Sequence, residues 1–204
     1  MRFLNLLLCA LPLFNLTAEA GYRRIISPSA NEGDASQLLS AHLSIHLESA
    51  FRSGDGSQFW VVGDTGTILH YSKATRQWEP QSVAEETNLY SGFANIDGSQ
   101  LWAVGEKGFI GYHSSEMGYF WDIQSREDDD KNDLESVFGS SDGSQVWAVG
   151  DRGTILHYSE ATREWKAEKS GTVNHLRSVF ATSDGSQLWA VGWKGTILSY
   201  SKQN

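Results

Sequence analysis

The chain has a single cysteine, Cys9, and it lies within the apolar stretch Phe3 to Leu16. That stretch follows Met1-Arg2 and runs into Ala18-Glu19-Ala20, giving the charged start, apolar middle and small-residue end of a secretory signal, so residues 1–20 are expected to leave on export. Leu8, not a small residue, precedes Cys9, which argues against a lipid-anchored cysteine. Cleavage then leaves no thiol, and disulfides, thiol catalysis and cysteine metal sites are excluded. The sequon Asn15-Leu16-Thr17 goes with the same segment. No later apolar run approaches the ~20 residues of a spanning helix. Basic charge is scarce as well: 16 Lys and Arg stand against 25 Asp and Glu, and removal of Arg2 with Glu19 keeps the net charge at −9. Nucleic acid and anionic membranes need Lys and Arg to displace counterions, so neither suits this surface.

What the chain does have is tryptophan, 8 residues, glycine, 20 residues, and repetition. The strings Leu47-Glu-Ser-Ala-Phe51, Leu89-Tyr-Ser-Gly-Phe93, Leu134-Glu-Ser-Val-Phe138 and Leu176-Arg-Ser-Val-Phe180 start four copies of one unit, 42, 45 and 42 residues apart. Each is followed by Asp-Gly-Ser-Gln (Asp55, Asp97, Asp142, Asp184), by Trp-x-Val-Gly (Trp60, Trp102, Trp147, Trp189) and by a second glycine three residues on. Leu-x-Ser-x-Phe alternates with the period of a strand, and Asp-Gly signals a tight turn into a second strand. The paired glycines, as in Gly63-Asp-Thr-Gly66, turn the chain into a β-branched and aromatic third strand. A polar connection then leads to Trp78, Trp121 or Trp165 on a fourth. Four short antiparallel strands in about 42 residues make a propeller blade, whose two faces are both apolar because it packs between neighbours. The expected fold is therefore an all-β, four-bladed propeller.

The fourth copy ends at Ser201-Lys-Gln-Asn204, after its third strand. Residues 21–46 precede the repeats, and Tyr22-Arg-Arg-Ile-Ile26 or Leu39-Ser-Ala-His-Leu-Ser-Ile45 is expected to supply the missing strand and close the ring. The alternative is an arc completed by self-association.

The run Trp147-Ala-Val-Gly-Asp-Arg-Gly-Thr-Ile-Leu156 resembles the repeat of the photosystem II stability/assembly factor family, within the wider Asp-box (bacterial neuraminidase repeat) propellers. The resemblance covers residues 47–201 and implies a non-enzymatic propeller that binds proteins during assembly in an exported, secreted or periplasmic compartment. An Asp box reads Ser-x-Asp-x-Gly-x-Thr-Trp between strands three and four, where this chain has Ser159-Glu-Ala-Thr-Arg-Glu-Trp165. A similar string, Ser140-Ser-Asp-Gly-Ser-Gln-Val-Trp147, falls between strands one and two instead.

Sialidases share Asp-box repeats, but they need an arginine cluster, a Tyr/Glu pair and an acid on a longer ring, so no catalytic residue is assigned. In the run Arg126 to Asp133, Asp128, Asp130 and Asn132 match the first alternating ligands of a calcium loop; Asp133 and Gly139 break the rest of that pattern, which favours a solvated acidic loop. His70 and His157 occupy one strand-three position and are expected to pack, and His42 and His46 are assigned no chemistry. The binding expectation concerns one face. The turns between strands two and three emerge beside the inter-blade connections, gathering Asp64, Glu106, Lys107, Asp151, Arg152, Lys194, Glu85 and Glu86 where the copies differ. Trp193 stands there in place of an acidic residue and is expected either to anchor a protein partner or assembly client or to pack against the closing N-terminal segment. A carbohydrate-binding module, stacking sugars on exposed Trp and Tyr, is the alternative.

Overall fold

The computed structural model describes residues 46–201, apart from 75, 84, 119 and 125–130. Each repeat is one antiparallel sheet with its strands in sequence order. The first comprises β1 (Leu47–Arg52), β2 (Gln58–Gly63), β3 (Thr67–Ser72) and β4 (Gln77–Ser82). The second comprises β5 (Leu89–Ala94), β6 (Gln100–Gly105), β7 (Ile110–Ser114) and β8 (Asp122–Ile123). The third comprises β9 (Leu134–Gly139), β10 (Gln145–Gly150), β11 (Ile155–Ser159) and β12 (Glu164–Glu168), and the fourth has only β13 (Leu176–Ala181), β14 (Gln187–Gly192) and β15 (Ile197–Ser201). No helix among the described residues is long and apolar enough to cross a membrane.

The turn between the first two strands is built by side chains. In the first copy the Ser57 amide donates to Asp55 Oδ1 at 2.8 Å, the buried Ser53 hydroxyl donates to the same oxygen at 2.6 Å, and the Gln58 amide donates to Ser53 Oγ at 3.1 Å. Asn95, Ser140 and Thr182 take the place of Ser53 in the other copies. The glycine after each Asp adopts a left-handed φ of 67 to 77°, which a tight reversal requires and a Cβ opposes.

Sheets stack side by side through three separate cores. Trp60, Val62 and Ile68 face Leu89, Leu101 and Ala103 of the second sheet. Trp102, Val104 and Ile110 face Leu134, Val146 and Ala148 of the third, and Trp147, Val149 and Ile155 face Leu176, Leu188 and Ala190 of the fourth. Each sheet thus offers a tryptophan face to its successor and a leucine/alanine face to its predecessor. The first strands pack in series, β1 on β5, β5 on β9 and β9 on β13. The serine of Leu-x-Ser-x-Phe links them, since Ser91 Oγ accepts from the Val137 amide and Ser136 Oγ from the Val179 amide, both at 3.2 Å.

The expected closed ring is not formed by the described sheets: the fourth does not pack back on the first. Both proposed closing segments, 22–26 and 39–45, lie outside the described residues. Equivalent tryptophans consequently differ. Trp60, Trp102 and Trp147 are no more than 2% exposed, whereas Trp189 is 39% exposed.

Candidate partner-binding face

The turns after β2, β6, β10 and β14 lie along one edge of the stack, one from each sheet, each a short 3-10 turn: Asp64–Gly66, Glu106–Gly108, Asp151–Gly153 and Trp193–Gly195. The glycine before each turn has an extended φ near ±180°, so conformational freedom does not explain it. Space does. A Cβ on Gly105 or Gly150 would stand 1.9 Å from the carbonyl oxygen of Asn88 or Asp133. The close approach lets the next amide bond that same carbonyl: Glu106 to Asn88 and Asp151 to Asp133 at 2.9 Å, as Asp64 does to His46 at 3.0 Å and Trp193 to His175 at 2.9 Å.

Side chains of those connecting residues then reach back to the preceding turn. Asn88 Oδ1 accepts from the Thr65 amide at 3.2 Å, Asp133 Oδ1 from the Lys107 amide at 2.8 Å, and His175 Nδ1 pairs with Asp151 Oδ1. The polar residue directly before the first leucine of the second, third and fourth repeats therefore joins two turns, while His46 bonds the first turn alone. Sequence reading passed over this row, although its signal is visible: His46, Asn88, Asp133 and His175 are polar in every copy.

The second residue of each turn, Thr65, Lys107, Arg152 or Lys194, holds a left-handed φ of 54 to 55° without being glycine, and all four are exposed. Such a conformation costs on the order of 1 kcal/mol or more and persists where surrounding bonds impose it. A constant scaffold thereby projects four variable side chains outward.

The structure brings the expected residues to one edge. Glu85 and Glu86 are exposed beside the first turn, whose Gly66 amide donates to Thr87 O at 2.6 Å. Charge pairing modifies the acidic face expected from composition. Lys107 Nζ binds Glu106 Oε1 at 2.6 Å, holding that carboxyl below and that ammonium above their ordinary ranges by hydrogen bond and charge. Asp151 is engaged by His175, and Glu135 by Arg177. At the first sheet Asp64 lies 3.9 Å from the His46 imidazole, and Glu85 and Glu86 stand exposed nearby and keep that part of the face acidic.

Trp193 marks the fourth. It is 49% exposed, stacks on His175 at 4.3 Å between ring centroids, and carries the Arg177 guanidinium 5.0 Å over its face. Comparison of the chain with protein-family models and with curated proteins gave no match. The geometry alone therefore carries the functional reading. An indole contacted by both an imidazole and a guanidinium has less rotamer freedom to lose on contact than a free one.

Of the calcium candidates, Asp128 and Asp130 lie outside the described residues. Asn132 uses its amide to donate to Thr154 Oγ1 at 3.2 Å, as Asn174 does to Thr196 at 2.9 Å, a repeated structural bond. Among the described residues no three His, Cys, Asp or Glu side chains gather as a metal site. His70 and His157 pack as expected, stacked on Trp60 at 5.1 Å and on Trp147 at 4.6 Å. A crevice of about 220 Å³ between the first two sheets is lined by Trp60, His70, Gln81, Leu101 and His113.

Proposed function

We propose that the chain is an exported, non-catalytic β-propeller-type repeat protein that binds a protein partner on the turn face, with Trp193 as anchor. The reading keeps the resemblance to the photosystem II stability/assembly factor repeats, and it makes the partner an assembly client. One observation carries it: four equivalent turns share the bond from their first amide to the connecting carbonyl, the cap bond that closes them and a left-handed second residue, yet differ in the side chains they expose, with the single aromatic contacted by His175 and Arg177. Variation on a rigid frame is how binding loops are made selective. The acid at the first sheet suits a partner with a basic patch, and association of that kind weakens as salt screens it over about 8–10 Å.

The test is affinity capture from the exported compartment, with residues 21–204 as bait and Trp193→Ala as control. A protein retained by the native bait, lost by the folded variant and released by salt supports the reading. Retention by both baits removes Trp193 from the site. Binding of soluble glycans that survives high salt replaces the protein partner with a carbohydrate.

A further inference from the structure

The two ends of the stack carry the two halves of the contact that joins its interior. On the fourth sheet, Trp189, Val191 and Ile197 occupy the positions of Trp147, Val149 and Ile155; the latter three are 0 to 8% exposed, the former 39, 42 and 73%. The first sheet shows the converse. Leu47, Ala50, Val61, Leu69, Tyr71 and Trp78 stand where the third sheet has Leu134, Val137, Ala148, Leu156, Tyr158 and Trp165, all buried against the second sheet. Leu47 is 53% exposed, while Leu134 is fully buried.

Polar groups match in the same way. Ser178 is exposed at the position where Ser91 and Ser136 accept an amide of the next sheet, and Ala50 presents the equivalent amide. The Ile96 and Ser141 amides donate to the carbonyls of Ser141 and Ser183 at 2.7 and 2.8 Å. Ser183, next in that series, has no acceptor among the described residues, and Gly54 O is its counterpart at the other end.

We infer that the fourth sheet of one copy docks on the first sheet of a second copy, continuing the stack across the chain boundary. Equivalent strands already form three such apolar contacts within the chain, and the amide-to-serine and amide-to-carbonyl bonds recur in the second and third of them. A head-to-tail contact either closes or runs on as a filament. Propellers close with about four to eight blades, so two copies of four close as a symmetric dimer. This contact rests on the apolar sheet faces and not on the partner reading, although by analogy with the internal contacts it sets the Trp193–Gly195 turn beside His46 of the second copy.

Sedimentation velocity of the purified chain tests it, with Ile197→Glu on the tail and Ala50→Glu on the head. Both sites are exposed in the single chain, so circular dichroism is expected to show native sheets in each variant. The native chain is expected to sediment as a dimer. Either substitution buries a charge at the contact and should raise the concentration needed for assembly by about a hundredfold or more. Mixing the two variants restores a one-to-one complex through the single intact contact. A monomeric native chain overturns the inference, as does a dimer indifferent to Ile197→Glu or a mixture that fails to pair. Masses that climb with concentration overturn the closed ring.

Discussion

At the residue scale, the four Asp-Gly turns are the most strongly specified feature of the chain. Asp184 shows it best: bonds from the Thr182 hydroxyl, then the Ser186 amide and hydroxyl, lower its carboxyl from 3.8 to about 2. Asp55, Asp97 and Asp142 are lowered by equivalent bonds. A carboxyl depressed in the fold stabilises above its unfolded value, and that contribution disappears as pH falls through the folded one. The turns are therefore expected to hold above pH about 4 and to weaken toward pH about 2. Carboxyl NMR titration should place the Asp184 midpoint near 2 in the native chain, and Thr182→Val should move it upward. His70 behaves in the same sense. Burial first, opposed by Glu79 and assisted by His113, pushes its imidazole down, so it favours the fold in the neutral form. Stability should decline as pH drops below about 6.5, less steeply in His70→Phe, as followed by chemical denaturation.

Gly150 belongs to the same scale. Its alanine variant would drive a Cβ into the Asp133 carbonyl and is expected to cost about 1–3 kcal/mol. Denaturant melts measure this directly. Before the structure, Gly63 and its three counterparts read as turn glycines, and half of that reading fails. The second glycine of each pair has the left-handed φ of a turn, while the first is kept small by a backbone that passes beside it. Local pattern reports conformation and says nothing about a neighbour 17 residues away in sequence, which is where His46 stands from Gly63.

At the scale of elements, a strand's value depends on which sheet covers it. Trp147 and Trp189 occupy one repeat position, yet Trp147 is enclosed between the third and fourth sheets and stacked on His157, while Trp189 faces outward opposite Ser199. Trp147→Ala is expected to cost about 3–5 kcal/mol. The same change at Trp189 should cost less than half as much in the single chain, and Trp193→Ala should leave the fold intact. Thermal melts of the three variants rank them. If Trp193→Ala destabilised most, the division between scaffold and binding face would be wrong. The strands themselves were legible because alternation and turn residues are local. The sides on which they bury were legible only in part, since both faces of an interior sheet are apolar and the first and last sheets repeat that chemistry without a neighbour.

At the scale of the whole molecule, a stack of similar sheets has uncapped ends unless something covers them. The three-stranded fourth sheet and the first sheet's half-buried aromatic face are those ends. Assembly of copies rests mainly on the apolar sheet faces and capture of a partner on the turn face, and the two meet only where the Trp193–Gly195 turn borders the next copy. They are separable: Ile197→Glu should abolish the dimer and retain partner capture, while Trp193→Ala should do the reverse. Paired pull-down and sedimentation measurements on both variants check this.

The sequence by itself determined the repeat, its four-strand plan and the Asp-Gly turns, because each is written in a period or a turn residue within a few positions. It also led to the expectation that Trp193 and the three equivalent turns share one face. Tertiary structure decided which tryptophans are covered, why the first glycine of each pair is small, which side chains Glu106 and Asp151 bond, and that His175 and Arg177 contact Trp193. Those depend on contacts between successive repeats, and identical residue patterns meet different neighbours in the interior and at the ends of the stack.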